Sequence, residues 1–97
     1  MKVENIINNN GNRAANQFVI SNGNKVYFQS YATMIALWDY TERKLYVTPS
    51  WDCSVTTRKH FYIFLNEYTS IDGNRESVLN GIREGRIEVV QEKMLSL

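Results

Sequence analysis

The chain predicts an α+β fold: an antiparallel four-stranded meander followed by two helices and a final strand, with the helices on one face of the sheet. Three observations predict it. Residues alternate with a period of two between Asn16 and Thr48, the period becomes helical after Trp51, and the only proline, Pro49, stands at the change.

Met1 to Ile7 reads as a loose segment or a short edge strand, ended by the turn-rich Asn8-Asn9-Asn10-Gly11-Asn12. Strands are expected over Asn16 to Ser21 and Lys25 to Tyr31, joined at Asn22-Gly23, two residues that tolerate the positive φ of a tight hairpin. Further strands over Thr33 to Asp39 and Lys44 to Thr48 flank the polar connection Tyr40-Thr41-Glu42-Arg43. Ser54 is a candidate helix cap, and Thr57, Phe61, Phe64, Leu65 and Tyr68 form one stripe of a helix from about Val55 to Tyr68. After the break at Asp72-Gly73-Asn74 a second helix is expected over Arg75 to Glu84, with Val78, Leu79 and Ile82 inward and Gly85 as its left-handed terminator. Ile87 to Gln91 reads as the closing strand, and residues 92–97 are a tail.

Residues 1–97 fit a single domain, large enough to bury roughly 60 to 70% of its unfolded surface. The hydrophobic fraction of 43% and aromatic fraction of 12% are those of a folded protein. A net charge of +1 speaks against both a DNA mimic and a strong non-specific DNA binder. Cys53 is the only cysteine, so no internal disulfide forms and a reducing cytoplasm is expected. No secretion signal is visible and no apolar run approaches the roughly 20 residues of a membrane span, so no membrane role is expected.

Alternation sorts the strands into two surfaces. One collects Phe18, Ile20, Val26, Phe28, Ile35, Leu37, Leu45 and Val47, and is expected to lie under the helices. The other collects Gln17, Val19, Tyr27, Gln29, Tyr31, Met34, Trp38, Tyr46 and Thr48, whose aromatic content suits a contact surface. Tyr27, Gln29, Tyr31, Trp38 and Tyr46 are the candidate partner-binding residues. For Trp38 to lie under the helices, the strand would need a bulge or a different register. The bland alternative is that the N-terminal segment, or the C-terminal strand and tail, folds over this face and makes it a second core.

The stretch Asn12 to Ile20, then Tyr27-Phe28-Gln29-Ser30-Tyr31, then Trp51-Asp52-Cys53-Ser54-Val55-Thr56-Thr57-Arg58-Lys59 and Phe64-Leu65 resemble a group of small proteins of unknown function carried by tailed bacteriophages and prophages. The resemblance covers most of Asn12 to Val90. An aromatic often follows Trp-Asp in that pattern, so Cys53 departs from it. The resemblance implies a phage-encoded protein acting in the cytoplasm of a bacterial host and implies no reaction.

No constellation points to an enzyme. Cys53 and His60 are the only thiol and imidazole; with Ser54 as cap they sit on the order of 10 Å apart along the helix axis, too far for a nucleophile and base. Cys53 is expected to be buried or partly buried and His60 to lie on the surface. Neither a metal nor a cofactor is expected, since one Cys and one His lack zinc-ligand spacing. Asp52 and Ser54 are expected to satisfy first-turn amides, although Thr56, Thr57, Arg58 and Lys59 at the same helix start could also hold an anion.

The expected function is therefore a non-enzymatic accessory protein that binds a host protein, including an anti-defence inhibitor in the manner of anti-CRISPR proteins, or that self-associates. The alternatives are a single-stranded nucleic-acid binder, with Arg13, Lys25, Arg43, Lys44, Arg58 and Lys59 following the backbone, and a small-molecule or nucleotide-binding sponge. On the first reading replacing Trp38 and Tyr46 by alanine weakens binding and spares the fold, whereas Phe28→Ala or Phe64→Ala threatens folding.

Overall fold

The computed structural model describes Met1–Leu97. Six strands form one sheet in chain order: β1 (Lys2–Ile7), β2 (Arg13–Asn22), β3 (Lys25–Ser30), β4 (Thr33–Asp39), β5 (Lys44–Val47) and β6 (Ile87–Val89). The first five run antiparallel, and β6 joins β5 in parallel. A parallel neighbour cannot be reached by a tight turn. Two helices, α1 (Val55–Tyr68) and α2 (Arg75–Arg83), make that crossover and cover one face of the sheet.

Each helix starts where a short polar side chain replaces the missing backbone acceptor. Ser54 Oγ accepts from the Thr57 amide at 3.1 Å, and Asn74 Oδ1 accepts from the Ser77 amide at 2.8 Å. Gly85, at φ 80°, ends the second. The covered face is a single core in which Phe28 stacks on Phe61 and Phe64, with ring centroids 6.2 and 5.7 Å apart. Trp51 plugs its end, 5.9 Å from Phe61. Burying a side chain of this size contributes about 1.5–3 kcal/mol. Leu79, expected inward on α2, is exposed, whereas Val78 and Gly81 face the core side.

The strand faces differ from the expected sorting, for two geometric reasons. β2 and β3 turn through Gly23-Asn24, so Asn22 faces Lys25 and every pair adds to an odd number. Val19 therefore shares a face with Phe28, under the helices, while Ile20 and Tyr27 share the other. Between β3 and β4 the pairing slips by one residue, from Gln29 opposite Met34 to Phe28 opposite Ala36, leaving Ile35 as the extra residue of a bulge. The bulge turns Ile35, Ala36 and Trp38 into the core and Leu37 out of it. Trp38, expected on the contact surface, is thus buried under the helices. Gln17 lies on the same side at 1% exposure, and neither of its amide atoms meets a protein partner.

Candidate functional site

The register lines up one row across all six strands on the face away from the helices: Val3, Ile20, Tyr27, Leu37, Tyr46 and Glu88. Beside it runs a charged row in which Lys25 faces Asp39 and Asp39 faces Lys44. The tail is not loose. Glu92–Leu95 forms a 3₁₀ turn that crosses this face, fixed by the Met34 amide donating to Glu92 Oε2 at 3.1 Å, and it buries Leu95 against Ile20, Tyr27 and Leu37. A small second core results, with Met34, Tyr46 and Val90 packed partly against it.

The turn does not seal the face. A cleft of about 190 Å³ remains between it and the sheet, with Leu37, Val90 and Leu95 among its apolar walls and Lys25, Glu42 and Glu88 among its charged ones. Tyr46 lines the cleft half-buried, its hydroxyl donating to Glu42 Oε1 at 2.9 Å. That hydrogen bond to a carboxylate, with partial burial, pushes the phenol above its ordinary range. Lys44 Nζ donates to Glu88 Oε1 at 3.0 Å and sits 5.3 Å from the Tyr46 ring centre, and the bond to Glu88 raises the ammonium's pKa.

The five aromatic-face candidates are therefore scattered. Tyr27 is buried beneath the C-terminal turn, Trp38 is buried on the opposite face, Tyr46 lines the cleft, and Gln29 is half-buried. Tyr31 is 57% exposed at the β3–β4 turn, where it adopts φ 56° and where Gln29 Nε2 donates to its carbonyl at 2.7 Å.

The basic candidates divide between the two sides of the sheet. Lys25 and Lys44 lie on the cleft face, where Asp39 stands between them and Glu88 holds Lys44. The other four anion-binding candidates, Thr56, Thr57, Arg58 and Lys59, belong to α1, and the side chains of Thr57 and Arg58 are engaged. Thr57 is buried with its hydroxyl 3.0 Å from that of Ser30, and the Thr56 carbonyl is 2.7 Å from His60 Nδ1. Arg58 donates to Asp52 Oδ1 at 2.7 Å, leaving Lys59 as the exposed cation of the group. Asp52 was expected to cap the helix; instead it binds Arg58 and Arg75, and Arg75 lies 5.6 Å over the Trp51 ring. The hydrogen bond from Arg75 holds the Asp52 carboxyl below its usual range, with that from Arg58 adding to it against partial burial.

Cys53 is exposed and His60 is buried at 8% exposure, the reverse of what was expected of each. No three His, Cys, Asp or Glu side chains converge as metal ligands, and no helix is long and apolar enough to cross a membrane. Sequence reasoning missed Glu42, Glu88, Val90, Met94 and Leu95 around the cleft. The apolar residues Met94, Leu95 and Leu97, half of the tail 92–97, were the available signal.

Comparison with curated proteins and with solved structures finds no match. Residues 1–81, from the first strand into α2, match a family of unknown function, DUF8033, and the chain belongs to that family.

Proposed function

We propose that the chain is a non-enzymatic binding module that docks a protein partner on the face carrying the C-terminal turn. The resemblance to tailed-phage proteins supplies the context: a phage-encoded accessory factor acting on a host protein in the bacterial cytoplasm, of which defence inhibition is one form. The observation that carries the reading is Tyr31. A bulky residue at positive φ costs of order 1–3 kcal/mol that glycine or asparagine would spare, and this ring, mostly in solvent, recovers little of it by packing. An exposed aromatic with a polar tip, held on a tight turn, is the kind of side chain that dominates binding interfaces. The cleft beside Tyr46 offers a second contact, apolar in its walls and charged at its rim.

The separation of Lys25 and Lys44 from Arg58 and Lys59 weakens the nucleic-acid reading, because a phosphate backbone needs its cations along one path. Affinity capture from bacterial lysate, with mass spectrometry of the bound fraction, tests the proposal. One stoichiometric partner is expected with the native chain and is lost with Tyr31→Ala and Tyr46→Ala, both folded by circular dichroism. Equal capture by both variants would move the docking surface elsewhere, and salt-sensitive oligonucleotide binding would replace the proposal.

A further inference from the structure

The free edge of the sheet is the strongest remaining feature. β1 pairs only with β2 and contains no proline, so the backbone groups on its outer side have no strand to bond. Its exposed side chains are Lys2, Val3, Glu4 and Ile7, and Val3, at 55% exposure, is the open end of the row that continues through Ile20, Tyr27 and Leu37. Lys2 and Glu4 share the opposite side, 3.4 Å apart. An edge that ends an apolar row between two opposite charges is not protected against pairing as a run of lysines would be.

We infer that β1 pairs antiparallel with β1 of a second copy of this chain, about a two-fold axis through Val3. A two-fold axis perpendicular to a continuous sheet keeps each residue on its own face, so it must pass through a residue facing itself. Centred on Val3, Lys2 faces Glu4 of the second copy, Glu4 faces its Lys2, and the two Val3 side chains meet. The apolar row then runs unbroken from one copy into the other. Centring on Lys2 or on Glu4 would set like charges face to face. Centring on Asn5 would leave Glu4 against an isoleucine and Lys2 against Asn8. Glu67 of α1 and Arg13 of β2 line the same surface depression as Glu4, so beside its facing Glu4 the incoming Lys2 finds a second carboxylate and one cation. The remaining strand, β6, is the other edge and has three residues. A five-residue pairing buries less than the roughly 1,200–2,000 Å² of a stable complex, so the dimer is weak and reversible.

Sedimentation equilibrium from about 10 μM to about 1 mM covers the range in which such small interfaces associate. The average mass is expected to rise from 11.3 kDa toward twice that value as concentration increases. Added salt should suppress the rise. Lys2→Glu alone, or Glu4→Lys alone, should abolish it, and the double exchange Lys2→Glu with Glu4→Lys should restore it, each variant being checked for fold by circular dichroism. A native mass independent of concentration would overturn the inference. So would an undiminished rise in either single variant, or failure of the double exchange to recover what the singles lose.

Discussion

At the scale of single residues, Trp38 departs from what strand alternation alone assigns, whereas Tyr31 keeps the exposed place it was given. Trp38 is 2% exposed in the main core, so Trp38→Ala is expected to cost about 3–5 kcal/mol, as much as Phe28→Ala. Tyr31→Asn is expected to stabilise the fold by about 1 kcal/mol or more, because asparagine tolerates the left-handed backbone that tyrosine resists. Urea unfolding of the three variants beside the native chain checks both. A loss of stability in Tyr31→Asn would mean that the ring is held by packing, and would remove the reason for treating it as a contact. Asp52 adds a pH dependence whose sign follows from its environment. Its carboxyl lies below the ordinary 3.8 when folded and returns toward it when unfolded, so the stabilisation is present above that value and lost as the pH falls through the folded one. With side-chain exposures of 27% for Asp52 and 54% for Arg75, solvent keeps the contribution under about 1 kcal/mol. The stability gap between native chain and Asp52→Asn should therefore be present near neutral pH and close in acid, once the pH falls below the folded carboxyl's own lowered range. A gap that survives in acid would assign the effect to shape.

At the scale of elements, the order of strands and helices was legible because it depends on local pattern: Ser54 begins α1, Asn74 directly precedes α2, and Gly85 follows it. Faces were not legible to the same degree, because a face depends on the sum of two residue numbers across a turn. The two-residue turn at Gly23-Asn24 forces even positions of β2 to oppose odd positions of β3, which grouping Phe18 and Ile20 with Phe28 ignores. The bulge at Ile35 reverses parity again, and it has no local marker such as a glycine. β3 and β5, which contain no irregularity, keep Val26, Phe28, Leu45 and Val47 where alternation places them. Element packing makes a further prediction at Gly81. A Cβ there would lie 2.5 Å from Ile87 Cδ1 and 2.8 Å from its Cγ1, and Ile87 is buried at 2% exposure where it cannot yield freely. Gly81→Ala normally favours a helix by about 1 kcal/mol, yet overpacking a core costs about 1–3 kcal/mol, so the substitution is expected to destabilise. A rise in melting temperature would show that α2 and β6 can separate without loss.

At the scale of the whole molecule, the sheet separates two cores of unequal size, and the smaller depends on the last residues of the chain. Leu95, at 2% exposure, is the fully buried side chain that the C-terminal turn sets onto Ile20, Tyr27 and Leu37. The candidate cleft exists because that turn stands off the sheet, so the cover and the site have one origin. Leu95→Ala is expected to cost about 2–4 kcal/mol, less where the site collapses around the gap. Removing residues 92–97 should leave the helix-covered core intact, since none of its members lies beyond Ile87. It should also bare an apolar row running from Val3 to Leu37, continuous with the free edge. The truncated chain is therefore expected to bind a hydrophobic dye, to keep near-native circular dichroism in the far ultraviolet, and to associate more strongly than the full chain, because an uncovered apolar patch seeks a second surface. Dye binding and association unchanged by truncation would show that the turn rests on the face without protecting it.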